Sequence, residues 1–120
     1  MEEPQENATV GLDAFSQGVV ALSSWIDVGN AGRHPEAATW ARLSKIAEEA
    51  GEVVAAYIGA TGQNPRKGMT HTIGDVEEEL LDVALTALAA LEHLRGHDGR
   101  SGSMLADKLT RTLERAGLPS

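Results

Sequence analysis

Apolar positions recur along this chain at intervals of three and four, and no stretch alternates apolar and polar side chains residue by residue. That spacing puts apolar side chains on one face of a helix and predicts an all-α fold. Over residues 9–27, Val10, Phe15, Val19, Leu22 and Ile26 recur at intervals of three to five beside Trp25, with Gly11 and Gly18 weakening the pattern. Gly29-Asn30-Ala31-Gly32 then breaks the chain. A second helix is predicted over residues 35–58, opened by Pro35 and Glu36 and closed by Gly59, Gly62 and the Asn64-Pro65 step. At about 100° per residue, Leu43, Ile46, Ala50, Val53, Val54 and Tyr57 share one sector of it, and Glu49, Glu52, Lys45 and Ala56 flank that sector. Residues 59–72 read as a loop. A third helix, starting at Thr72 or Gly74 and reaching about residue 95, carries Val76, Leu80, Val83, Ala84, Ala87, Leu88, Leu91 and Leu94, with Glu79, Asp82 and Thr86 as a second stripe. After a Gly-rich loop, a shorter helix over residues 103–116 carries Met104, Leu105, Leu109 and Leu113 and stops at Gly117 and Pro119. The acidic residues 1–8 read as a disordered lead, residues 9–117 as a single helical domain, and four helices with moderate connections suit a four-helix bundle.

Composition sharpens this picture. The chain is 42% hydrophobic but only 3% aromatic, and its apolar residues are dominated by Ala and Leu, the strongest helix formers. At 120 residues it is long enough for one core, and small domains bury proportionately little surface, so a wide apolar stripe invites oligomerisation. A net charge of -8 opposes binding to nucleic acid phosphates or anionic lipid. The absence of cysteine excludes disulfides and thiolate chemistry. No apolar run approaches the roughly 18 residues of a membrane span, and the N-terminus has no basic-then-apolar signal pattern. A cytoplasmic protein is the expectation.

The remaining acids carry the candidate chemistry. Glu49 with Glu52, and Glu79 with Asp82, stand three residues apart inside helical patterns, so each pair lies on one side of its helix. Taken singly, each acid is more simply a solvated helix residue. Together they are harder to explain that way: residues 75–82 hold five acids and no cation, and an isolated helix would be destabilised by that repulsion. If the two helices pack together, four carboxylates converge, and an all-oxygen ligand set suits Mg²⁺ or Mn²⁺. A bundle di-iron site would want Glu-x-x-His, which is absent. Zinc would want Cys or His, and only His93 and His97 are spaced by four, with Gly96 between them; they read as surface histidines.

Lys-Ile-Ala-Glu-Glu-Ala-Gly-Glu-Val-Val at residues 45–54, followed by Glu-Glu-Leu-Leu-Asp-Val at 78–83, resembles the MazG-like family of all-α nucleoside triphosphate pyrophosphohydrolases, marked by ExxE on one helix and ExxD on the next. The loop Gly-Ala-Thr-Gly-Gln-Asn-Pro-Arg-Lys-Gly at 59–68 is similar to that of small single-domain members, and the resemblance spans roughly residues 36–95. It implies Glu49, Glu52, Glu79 and Asp82 as metal ligands, with Glu48 and Glu78 as neighbouring acids for a second ion or for activating water. It also implies cleavage of nucleoside triphosphates to monophosphate and pyrophosphate, as in nucleotide-pool house-cleaning, by dimers or tetramers. Many relatives carry Asn where this chain has Ala89, which leaves sugar or base contact open.

Under that resemblance, Glu48 or Glu49 would accept a proton from water. Lys45, Arg66 and Lys67 are candidates for triphosphate oxygens, with solvated cations as the equal alternative. Trp40, Trp25 and His34 are candidates to stack on a base, although a Trp at helical spacing more often fills a core. Two other functions share these residues: a non-catalytic helical module whose acidic face docks a basic protein, and a hydrolase of another pyrophosphate-containing metabolite.

Overall fold

The computed structural model describes the backbone of residues 4–120 and the side chains from residue 11 onward. The side chains of the acidic lead expected over residues 1–8 lie outside the described residues. Those described form four helices and no strand: α1 Pro4–Gly29, α2 Pro35–Thr61, α3 Ile73–Leu94 and α4 Ser101–Ala116. The fold is all-α with four helices, as expected, and α1 starts earlier than residue 9. None of the helices described is long and apolar enough to cross a membrane. Contacts divide the chain into two compact units, one of residues 32–90 and one of residues 1–31 with 91–120.

In the unit of residues 32–90, α2 and α3 form an antiparallel hairpin. Helix α2 opens at His34, whose Nδ1 accepts the Glu36 N–H at 3.2 Å, with Pro35 in the first turn. It ends at Gly62, which adopts the left-handed conformation and donates its N–H to the Ile58 carbonyl. The helix therefore runs past the expected stop at Gly59, because a single glycine weakens a helix without ending it and the left-handed turn comes only at Gly62. Helix α3 opens with a reciprocal capping box: Thr72 Oγ1 accepts the Asp75 N–H at 3.2 Å and Asp75 Oδ2 accepts the Thr72 N–H at 2.9 Å. Along the hairpin, Arg42 Nη2 donates to the Ala89 carbonyl at 2.9 Å, and toward the connecting loop the Gly59 carbonyl accepts the Thr70 N–H at 3.0 Å.

The buried line of α2 is Ala38, Arg42, Glu49, Ala56, Gly59 and Ala60. This corrects the predicted inner sector: Leu43, Val54 and Tyr57 are exposed, and the face with small residues and Glu49 is the one covered. Small side chains allow close approach of a neighbouring helix, and four of these six buried positions are Ala or Gly. Of the small residues expected to make room beside the acids, Ala56 is buried while Gly51 and Ala55 are exposed.

In the unit of residues 1–31 and 91–120, α1 packs on α4, and the contact is organised by polar groups. Glu92 has no exposed surface, and its carboxylate accepts the Gly99 N–H at 3.0 Å and the Ser101 N–H at 2.9 Å. Ser16 Oγ accepts the Gly102 N–H at 2.9 Å. A Cβ on Gly102 would lie 2.6 Å from Ser16 Oγ and 3.3 Å from the Leu12 carbonyl, so only glycine admits α1 this close. These acceptors satisfy the first amides of α4, which starts at Ser101, ahead of the predicted Ser103, with no side-chain cap from Arg100.

Candidate metal centre

Three of the four sequence-predicted acids come together on the α2–α3 hairpin. Glu49, Glu79 and Asp82 each offer a carboxylate oxygen, and the three oxygens lie within 4.8 Å of one another. Glu49 is only 8% exposed, Glu79 is half-buried and Asp82 is open to solvent. The antiparallel pairing explains the convergence: one helical turn separates the acids in each strand of the hairpin, so turns face each other acid to acid. Glu52, the fourth expected ligand, lies outside that trio but close enough to hydrogen-bond Glu79 once one of the two is protonated.

Electrostatics here are unfavourable without a counter-ion. Partial burial pushes the Glu79 carboxyl above its ordinary range, and the negative charges of Glu52, Asp82 and Glu49 push it further. Glu79 Oε2 is buried with no hydrogen-bond partner. A buried acceptor with no donor costs about 1–3 kcal/mol, so an orphan inside a carboxylate cluster fits a cation. The donor set is all oxygen and partly solvated, which suits Mg²⁺ or Mn²⁺, ions that keep several waters.

The basic residues divide differently. Lys45 Nζ lies 3.2 Å from Glu48 Oε1 and 3.2 Å from Glu49 Oε1, hydrogen bonds that raise its pKa. It is therefore a counter-charge at the edge of the cluster. Glu48 is exposed and engaged by Lys45, outside the trio, as is exposed Glu78. Arg66 and Lys67 sit on the exposed loop, where Asn64 Oδ1 accepts the Arg66 N–H at 3.1 Å. Trp40 is 63% exposed and Trp25 is 73% exposed, so neither fills the core as tryptophans at helical spacing usually do. His34 is committed to capping α2. Ala89 is buried, with its carbonyl held by Arg42, and offers no polar side chain.

One cluster escaped the sequence. His93 Nδ1 lies 2.9 and 3.0 Å from the two Asp27 carboxylate oxygens, and His97 Nε2 lies 3.2 Å from Asp27 Oδ2 and 2.9 Å from Ser23 Oγ. These histidines are half-buried and hydrogen-bonded to Asp27 and Ser23, which corrects their reading as surface residues. Left-handed turns at Gly96 and His97 double the chain back after α3, a reversal that Gly96 foreshadowed. Nothing in the spacing pointed to Asp27.

No family model, curated protein or solved structure matches this chain.

Proposed function

We propose that this chain is a Mg²⁺-dependent nucleoside triphosphate pyrophosphohydrolase of the MazG-like kind, adding water across the α–β anhydride to release monophosphate and pyrophosphate. The observation that carries this reading is the carboxylate trio of Glu49, Glu79 and Asp82 with an unpartnered buried oxygen on Glu79. The ligands are Glu49, Glu79 and Asp82, with Glu52, beside Glu79, completing the set. When bound, Mg²⁺ (or Mn²⁺) supplies positive charge against the polyphosphate oxygens and the leaving pyrophosphate. Of the two acids expected to take the proton from water, Glu49 stands in the cluster, and Glu48 is turned out onto Lys45. Glu49 therefore takes that part, and Lys45 holds its carboxylate in place from the solvent side. Arg66 and Lys67 are the cations for the outer phosphates, and exposed Trp40 is available to a base. The exposed apolar side chains of α2 and α3 suit a homo-oligomer of two or four chains, and a cytoplasmic location and a house-cleaning role belong to the same proposal.

The test is a panel of ribo- and deoxyribonucleoside triphosphates with Mg²⁺, with products separated as monophosphate plus pyrophosphate or diphosphate plus phosphate. Asp82→Asn should abolish pyrophosphate release and leave a folded helical protein. If no nucleotide yields pyrophosphate and Mg²⁺ does not raise the melting temperature, the acidic face is a docking surface for a basic partner instead. Turnover of a different pyrophosphate-containing metabolite, with a normal Mg²⁺ response, would keep the site and change the substrate.

A further inference from the structure

The loop between α2 and α3 is built onto a glycine in the middle of a helical turn. Gly59 lies inside α2, yet a Cβ there would overlap the His71 Nδ1 and lie 2.5 Å from Thr70 Oγ1. The Thr70 N–H donates to the Gly59 carbonyl at 3.0 Å, and Thr70 Oγ1 and His71 Nδ1 hydrogen-bond at 2.9 Å directly over the missing side chain. At its other end the loop curls around Asn64, whose side chain accepts the Arg66 N–H and whose carbonyl accepts the N–H groups of Lys67 and Gly68. Left-handed Gly62 and Gly68 make that curl. The result is a closed strap with Arg66 and Lys67 at its exposed crest.

Those two cations make no ion pair among the described residues, as Arg33, Arg100, Lys108, Arg111 and Arg115 also do not, and what sets them apart is the strap that holds them. Lys45 is paired with Glu48 and Glu49, Arg95 with Asp98, and Arg42 is buried against Ala89. Among the described residues, neither Arg66 nor Lys67 makes a side-chain ion pair, although the chain carries 18 acids to 10 basic residues. Cations left unpaired on so acidic a chain and held on an ordered strap suit an anionic ligand more than they suit stability. Gly59 is two turns beyond Glu52, about 10 Å along the helix at 1.5 Å per residue, so strap and carboxylates lie within the reach of one polyphosphate chain and an extended Arg or Lys.

We propose that Gly59 is a positioning residue, whose absent side chain seats Thr70 and His71 and thereby holds Arg66 and Lys67 over the outer phosphates of the substrate. This rests on the pyrophosphohydrolase reading of the carboxylate site. Gly59→Ala leaves α2 helical, since Ala is the better helix former, but evicts His71 and Thr70. His71→Ala empties the same seat while keeping Gly59, and so serves if Gly59→Ala does not fold.

Two measurements decide it. Trypsin cuts after Arg66 and Lys67, and both variants should be nicked there on the order of ten-fold faster than wild type as the strap opens. In steady state both should raise KM for the triphosphate several-fold with little change in kcat, and this rise should vanish in an Arg66→Ala/Lys67→Ala background, the signature of groups acting through one another. Unchanged trypsin cutting, or the same KM increase in both backgrounds, overturns the proposal. Binding of inorganic triphosphate with Mg²⁺, followed by calorimetry, reads the same cycle without turnover. A wild type that binds but does not hydrolyse removes the enzymatic reading alone, whereas one that does neither removes the phosphate-holding strap as well.

Discussion

Glu79 concentrates the chemistry of the site in one side chain. Its carboxyl is raised above the usual 4.5 first by burial, then by Glu52, Asp82 and Glu49. In the folded protein it therefore holds its proton to higher pH than in the unfolded chain. Stability from this group is present below about pH 4.5 and is lost as pH rises through the folded pKa, so at neutral pH the cation-free protein carries the penalty. Glu79→Gln removes the charge and keeps the shape. We expect this variant to melt at or above the wild-type temperature at pH 7 without Mg²⁺, to flatten the decline in stability above pH 4.5, and to lose most of the Mg²⁺-induced rise. Thermal melts across pH, with and without Mg²⁺, measure all three. A variant less stable than wild type that still gains the full Mg²⁺ increment would remove Glu79 from any cation site. That acids of α2 and α3 would share a site if the helices pack was legible in the sequence, because three-residue spacing puts each pair on one side of its helix. The position of Glu52 outside the trio was not, since it depends on the rotation of each helix by a fraction of a turn.

At the scale of the helix, what spacing reveals is that a helix exists, and what it conceals is which side faces inward. Helix α2 is apolar over more than one sector, and the more hydrophobic sector, with Leu43, Val54 and Tyr57, is the exposed one. Helix ends fared similarly. The Thr72–Asp75 box is local and readable, but α4 is capped by Glu92 and by Ser16, the latter 86 residues away from Gly102, and no local signal carries that. Burial by itself would raise the Glu92 carboxyl; the N–H groups of Ser101 and Gly99 that donate to it outweigh this and lower it. Its stability is thus present above about pH 4.5 and lost as pH falls through the depressed folded value, the opposite side from Glu79. Glu92→Gln keeps one acceptor and turns an amide N–H₂ toward the other donor. We expect a loss of about 2–3 kcal/mol in urea unfolding, the range of hydrogen bonds to a charged group, together with faster exchange of the Ser101 amide. A variant within about 0.5 kcal/mol of wild type would mean that solvent caps α4 equally well.

For the molecule as a whole, the unsolved problem of this chain is its apolar surface. In the α2–α3 hairpin, Trp40, Leu43, Val54, Tyr57, Ile58, Leu80, Leu81 and Leu85 are all exposed, while the buried positions are mostly small or charged. The homo-oligomer proposed above would cover such side chains, as interaction faces do. The chain's charge of -8 argues against a face for nucleic acid or anionic lipid, and a second copy supplies the same apolar partners by symmetry. Leu81 sits between the acids Glu79 and Asp82 in sequence and is 59% exposed. Were the chain to work alone, Leu81→Asp would change stability by no more than about 0.5 kcal/mol, as surface substitutions do. If the hairpin face is buried against another copy, the new carboxylate is desolvated there at a cost of several kcal/mol and assembly fails. Sedimentation should therefore find two or four chains per particle in the wild type and one in Leu81→Asp. The wild-type melting temperature should also rise with protein concentration, since association stabilises the folded state by mass action. A wild type that sediments as a single chain, with a melting temperature independent of concentration, would leave the apolar face without an occupant and take oligomer formation out of the proposal.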